Sequence, residues 1–412
     1  MMRYLLAQAH PLTIQAEPSV LSGLVILSLV ILIWVLLLRR LNQPYFIAYI
    51  LSGVVLGPDG LRVLTNPELI IQLGELGIIL LLFFIGLEIR LPDLTKQVRK
   101  PLLGMLFQVA LSGLAAWMVG AYMDWSVPVM LLVAFVLSLS SSAIIHPYLA
   151  QHNETNTPLG TLTTGVLLLQ DMATIPMLLT LNFLGKGQFN AVELTLMVVG
   201  GVLSLLFLQM AMRSRLIQLP FADALLHDHD LQVFVGLVIC FGMAWLTQAF
   251  HLSAALGAFL AGVLVNRSSA TRWLEHSLLP FRVFFLALFF VAVGLQIKID
   301  FFLANWLLVS ILVLLVLIIN SLLGTLAFRA AGSSWRDSVY AGALLSQLGE
   351  FSIVLGLTAR QLGLINEFIY QLTLSVVALT MLITTLWIEV IRRFLFRPVP
   401  ADSESAKHQI SQ

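Results

Sequence analysis

The stretch LGTLTTGVLLLQDMATIPMLLTLNF, Leu159–Phe183, decides how this chain is to be read. It is long enough to cross a bilayer as a helix, which takes about 20 predominantly apolar residues. It holds one carboxylate, Asp171, directly after Gln170, and contains no Lys or Arg. A charged side chain at membrane depth costs roughly 2.5–3.5 kcal/mol on insertion scales, and such residues usually face a bundle interior or a wet cavity. A chain that keeps one there is expected to use its proton or its charge. Ion or proton transport is therefore the first reading.

The rest of the chain is built to match. Of 412 residues, 59% are hydrophobic and only 10% charged, so most of the sequence belongs in a lipid bilayer. The net charge of +1 gives no reason to expect a nucleic-acid partner. One cysteine, Cys240, lies in an apolar run, so no disulfide framework is possible. Met1–Ser19 reads as a loose tail, without a clear cleavage site before the first long span.

Apolar runs bounded by charge, Pro or Gly give thirteen expected transmembrane helices in an all-α membrane protein. They cover 20–38, 45–57, 68–88, 102–123, 127–149, 159–183, 191–211, 231–249, 252–266, 281–297, 303–328, 338–359 and 367–391. With the N-terminus outside, seventeen of the 22 Lys and Arg fall on inner loops and the C-terminal tail. Only Arg3, Arg62, Lys186, Lys298 and Arg360 fall outside. That asymmetry predicts an N-out, C-in topology.

An internal repeat is legible at an offset of 208 residues. Phe83–Arg90 (FFIGLEIR) and Phe289–Lys298 (FFVAVGLQIK) align on Gly86 and Gly294, and the same offset maps Ser138 onto Ser346. Ser52–Val55 and Ala261–Leu264 match with one residue more. Seven spans is an odd step, so spans 1–6 and 8–13 are expected to be inverted repeats. Secondary transporters place their sites where interrupted helices of two such halves meet near the midplane. The two polar interruptions are Ser138–Ser142 in span 5 and Ser346–Glu350 in span 12. Hydroxyls, amides and glycine can satisfy backbone groups freed where a helix unwinds, so both spans are predicted to break and cross beside Asp171. The plainer reading is that each Ser bonds back to its own helix.

Four motifs in order now carry a resemblance: Leu82–Glu88 (LFFIGLE), Leu169–Pro176 (LQDMATIP), Leu256–Leu264 (LGAFLAGVL) and Gln347–Phe351 (QLGEF). The chain resembles Kef-type members of the second monovalent cation–proton antiporter family across its membrane region. The resemblance implies a sodium/proton-antiporter-like fold and a homodimer. It implies dimerisation helices at about 20–88 and 231–297 and a moving core at about 102–183 and 303–391. It also implies that Gln170 and Asp171 bind cation and proton alternately. Many relatives carry Lys in span 11 facing the Asp; the matching position here is Asn320. The tail, Pro398–Gln412, holds no Gly-rich dinucleotide motif, so no nucleotide-binding domain is expected within this sequence. That leaves a truncated chain and a stand-alone antiporter both open. The loop Trp273–Phe281 resembles the Kef regulatory loop but keeps one acid, Glu275.

The residues supply a mechanism. Low dielectric disfavours a charged carboxylate, so a buried Asp takes up a proton unless a cation offsets its charge. Competition at one alternating site yields exchange, with K+ favoured over Na+ by the resemblance and no further cofactor. With no Lys opposite, one proton per cation is expected, hence electroneutral turnover. Gln170 points about 100° from Asp171 on a helix and is expected as a cross-break partner, whereas Thr174 shares the Asp171 face. Ser140, Ser141, Asn320, Ser346 and Gln347 are expected to support the site, and Glu350 to have a structural or ion-path role. Glu75 is expected to be a hydrogen-bonded core acid, Glu88 a solvated cap, and His146 an interfacial His that could sense pH. His227–Asp230 is expected to be an exposed loop rather than a metal site. No Ser-His-Asp order, metal cluster or phosphate loop supports an enzyme. The rivals are a sodium-coupled solute symporter of the same fold and an ion channel. The expected location is a bacterial inner membrane.

Overall fold

A computed structural model describes residues 20–40, 43, 45–64, 68–88, 99–185, 195, 199, 228–250, 254–265 and 272–395. Among these residues the chain is helical, without strands. In order the helices are α1 (Val20–Arg40), α2 (Tyr45–Leu56), α3 (Glu68–Glu88), α4 (Arg99–Tyr122), α5 (Val127–Ser138), α6 (Ser142–Gln151) and α7 (Pro158–Gly185). After them come α8 (His229–Ala249), α9 (Ala254–Val265), α10 (Arg272–Gln296), α11 (Ile299–Ala304), α12 (Trp306–Ala330), α13 (Trp335–Leu344), α14 (Phe351–Gln361) and α15 (Glu367–Leu395). Helix occupies every expected span except the seventh, 191–211, which lies outside the described residues apart from Thr195 and Val199. Eight helices among the described residues are long and apolar enough to cross a membrane.

Local signals set the ends. Pro near the first turn of α5 loses no hydrogen bond there, because the first N–H groups of a helix have no intrahelical partner. Asp228 caps α8 by accepting from Leu231 N at 3.1 Å, and Ser334 caps α13 by accepting from Asp337 N at 3.1 Å. Arg39 and Arg40 end α1, where cations offset the helix dipole.

The helices sort into two packing groups. The first joins α1–α3 with α8–α10, and the second joins α4–α7 with α12–α15. Glycine lets backbones touch in the first group. A Cβ on Gly53 would collide with Val291 O and the Gly294 Cα, and one on Gly262 with Phe83 O and the Gly86 Cα. Helix α2 thus crosses α10 at a Gly–Gly contact, and α9 crosses α3 at another. In the second group α12 and α13 cross the same way, with Gly324 against Gly342.

Two expectations are corrected. The segment Trp273–Phe281 is not a loop: α10 starts at Arg272 and runs through Pro280 without ending. One proline removes one backbone hydrogen bond, and the tie from Ser277 Oγ to Gln232 Oε1 of α8, at 2.6 Å, holds this end in place. Glu75 is not a core acid. It is exposed on α3, where Gln361 Nε2 donates to it at 3.5 Å. The buried side of α3 is set by Gly74 and Gly77, which press against Ala292 and Phe285 of α10, so the neighbouring position turns outward.

Candidate functional site

Span 5 unwinds after Ser138, and α6 begins only at Ser142. Leu139 and Ser141 are extended between them, with φ/ψ of −102°/126° and −81°/112°. Span 12 unwinds after Leu344 and resumes at Phe351. The interruptions face each other. Gly349 N donates to Leu139 O at 2.9 Å, Ser140 Oγ to Leu345 O at 3.0 Å, and Gln347 Nε2 to Ser141 O at 3.5 Å. Each interruption thus satisfies backbone groups freed in the other, which makes two unwound segments tolerable in an apolar interior. Glycine is required at 349 by this approach, since a Cβ there would lie 2.8 Å from Ser140 O. Ser138 Oγ does bond back to its own helix, at 2.9 Å from Phe135 O, whereas Ser140 bonds across.

Helix α7 brings Gln170 and Asp171 to this crossing. Gln170 is 1% exposed, Asp171 7% and Thr174 0%. The Gln170 amide is used at both ends: Oε1 accepts from Ser140 N at 3.1 Å, and Nε2 donates to Gln108 Oε1 of α4 at 3.1 Å. A side chain fixed at both ends orders the helical turn that carries Asp171. Thr174 Oγ1 sits 3.5 Å from Gln170 O, below that turn. Pro176 lies inside α7 and has no N–H, so the Met172 carbonyl, next to Asp171, loses its ordinary intrahelical donor. The neighbourhood therefore offers a carboxylate, amides, hydroxyls and freed carbonyls, the hard oxygen ligands suited to an alkali cation.

The second break is braced by α15. Thr384 Oγ1 donates to Gln347 Oε1 at 3.1 Å and lies 3.2 Å from Ser346 Oγ, while Leu348 N donates to Thr380 Oγ1 at 3.5 Å. Glu350 is 6% exposed and accepts from Ser142 Oγ at 3.4 Å. Ser142 opens α6 and Glu350 precedes α14, so this carboxylate sits at the N-terminal ends of both half-helices. Helix dipoles favour negative charge there. Ser141 Oγ lies beside the Glu350 carboxylate, whereas Gln108 Nε2 is buried without a hydrogen-bond partner. Asn320 is fully buried on α12, and neither of its amide atoms forms a hydrogen bond, so it is not hydrogen-bonded to Asp171. Orphaned groups of this kind cost about 1–3 kcal/mol each unless water or an ion meets them.

Gln108 was missed by sequence reasoning. The available signal was an amide within an otherwise apolar span, in the run Leu106-Phe107-Gln108-Val109. Among the other candidates, His146 is exposed on α6, and the Glu88 side chain and Arg90 lie outside the described residues. Asp228 is a helix cap and Asp230 is exposed, while His227 and the His229 side chain are outside the described residues. Cys240 is buried. Among the described residues no three His, Cys, Asp or Glu gather as a metal site.

Broken helices that cross beside a buried carboxylate define a membrane transporter. Residues 25–393 match the family described as "Sodium/hydrogen exchanger, transmembrane", and the chain belongs to that family of integral membrane cation/proton antiporters, which are transporters and not enzymes. The Iron transporter MagA of Paramagnetospirillum magneticum is 31% identical over 87% of this chain and 82% of its own. K(+) efflux antiporter 5 of Arabidopsis thaliana is 28% identical over 97% of this chain and 72% of its own. The glutathione-regulated potassium-efflux protein KefC of Shigella sonnei is 32% identical over 86% of this chain, which spans only 57% of that longer protein. The fold is similar to that of the sodium proton antiporter MjNhaP1 from Methanocaldococcus jannaschii, with a TM-score of 0.59 at 15% identity over 90% of this chain and all of that one.

Proposed function

We propose that this chain exchanges a monovalent cation, K+ ahead of Na+, for protons at Asp171. The observation that carries the reading is the clamp on Gln170, between Ser140 N of the first break and Gln108 of α4, which presents the adjacent carboxylate at the crossing. Protonated, Asp171 is neutral and can rest in a low-dielectric site; deprotonated, it supplies the charge that a dehydrated cation needs. Proton and cation exclude one another there, and the carrier crosses loaded with one or the other. Ser140, Ser141, Thr174, Ser346 and Gln347 hold the geometry of the crossing. Glu350 is read as the charge that balances two half-helix ends rather than as a second carrier. One exchanging carboxylate, with Asn320 where many relatives carry Lys, makes turnover electroneutral.

Movement of the second packing group against the first, in an elevator-like step, fits the separate packing of α4–α7 with α12–α15. The paired crossings Gly53–Gly294 and Gly262–Gly86 relate to each other by the offset found in the sequence and support inverted repeats. We take the first group as the scaffold of a homodimer and the C-terminal side as cytoplasmic. One of the relatives is an iron transporter, so iron is the second reading. Divalent iron prefers imidazole or thiolate donors or several carboxylates, and a single carboxylate among amides and hydroxyls favours the monovalent ion.

Proteoliposomes with an imposed pH gradient test this. Addition of K+ or Na+ is expected to dissipate the gradient without an organic solute or a current, and Asp171→Asn to abolish the response. A membrane-potential-driven current would remove the electroneutral step, and normal exchange by Asp171→Asn would remove the site.

A further inference from the structure

A cavity of about 380 Å³ opens at the Arg-rich end of α15. Its wall is built from Tyr148 and His152 of α6 and its C-cap, from Glu389, Arg392 and Arg393 of α15, and from Gln43 between α1 and α2. That volume lies in the range of small-ligand sites, about 300–1,000 Å³. Two features of the lining select the ligand.

The first is charge. Arg392 Nη1 and Arg393 Nε share one carboxylate, Glu389, at 3.5 and 2.9 Å. Two guanidiniums against one carboxylate leave an excess positive charge carried on planar N–H forks, which suit phosphate oxygens. The second is polarity in the wall: the buried Tyr148 hydroxyl lies beside Arg392 and Tyr340, and Gln43 Oε1 is buried without a hydrogen-bond partner. The hydroxyl can donate to an anion, and the amide oxygen can accept from a hydroxyl on a phosphate or on its esterified alcohol. A bare halide supplies no such donor.

We infer that this cavity binds a phosphate group, either as inorganic phosphate or as the headgroup of an anionic phospholipid. The site bridges the two packing groups. Gln43 belongs to the α1–α2 connection and donates through Nε2 to Thr385 Oγ1 of α15 at 2.6 Å, while the other lining groups sit on α6 and α15. An occupant would tie the groups together. Under the exchange reading above it would slow transport; binding itself does not depend on that reading.

Thermal unfolding of the purified full chain in neutral detergent tests the site. Inorganic phosphate is expected to raise the midpoint saturably above chloride at matched ionic strength, because a ligand that binds only the folded state stabilises it. Arg392→Gln should raise the apparent dissociation constant about tenfold or more, the loss expected for a charge-assisted hydrogen bond. Tyr148→Phe, which removes one oxygen, should weaken binding less. Asp171→Asn should bind as the native chain does, which keeps this test separate from the transport reading. In nanodiscs, a phosphate response that disappears when phosphatidylglycerol joins phosphatidylcholine assigns the site to the headgroup; a response that persists assigns it to free phosphate. The proposal fails if neither phosphate nor phosphatidylglycerol stabilises the native chain, or if both Arg392→Gln and Tyr148→Phe respond as it does.

Discussion

The break at Leu139–Ser141 is short, uncharged and held from the side by an amide, whereas the break at Leu345–Glu350 is twice as long, ends in a carboxylate and is held by hydroxyls. The long helix beside the first break, α7, carries the Gln170–Asp171 pair; its counterpart beside the second, α15, carries Thr380 and Thr384. Similar backbones have therefore been given different chemistry. The first break lies next to the carboxylate proposed to take the cation. The second brings its own carboxylate, Glu350, to the N-terminal ends of α6 and α14, where a negative charge stabilises the two half-helices together. The asymmetry teaches that two acids in one crossing need not share a role: Asp171 lies beside amides, hydroxyls and a freed carbonyl, Glu350 at the N-terminal ends of two half-helices.

Substitutions can break this comparison, and the largest effect is expected at Asp171. Asp171→Asn should reduce cation-dependent proton exchange in proteoliposomes to background while leaving the chain folded, because only the exchangeable charge is lost. Gly349→Ala comes next. Its Cβ would lie 2.8 Å from Ser140 O and force the breaks apart, so thermal unfolding should report a loss of about 1–3 kcal/mol, with exchange reduced in proportion to the separation. Gln170→Leu should cost about 1–3 kcal/mol by leaving Ser140 N and Gln108 unpaired, again with a fall in exchange. Glu350→Gln should destabilise by about 0.3–2 kcal/mol yet retain cation-dependent exchange. If it abolishes exchange as completely as Asp171→Asn, the division of roles between the acids is wrong. Thr384→Ala is the mildest, at about 0.5–1.5 kcal/mol for the bond to Gln347 Oε1.

Much of this arrangement could be read from the sequence because the membrane makes polarity expensive. Asp171, Ser138–Ser142 and Ser346–Glu350 stand out against apolar spans, and the observed interruptions match those polar runs to within one residue at each end. The boundaries of α10 were less legible. Span 10 was expected to begin only after Pro280, but tertiary packing against α3 and the Ser277–Gln232 bond carry the helix through it. Glu75 was misread because an acid in an apolar span signals cost without saying which way it points; the glycines beside it, packed on α10, turn it outward. Gln108 was overlooked for a different reason. An amide carries no formal charge, so its importance rests on a partner in another helix, Gln170, which spacing along the chain cannot identify.

Proton release on cation binding tests the central claim most directly. Titrating K+ into weakly buffered, detergent-purified protein at a pH where Asp171 holds its proton should release about one proton per bound cation from the native chain. Glu350→Gln should release the same number, and Asp171→Asn none. Undiminished proton release from Asp171→Asn would contradict the assignment of proton and cation to one shared carboxylate.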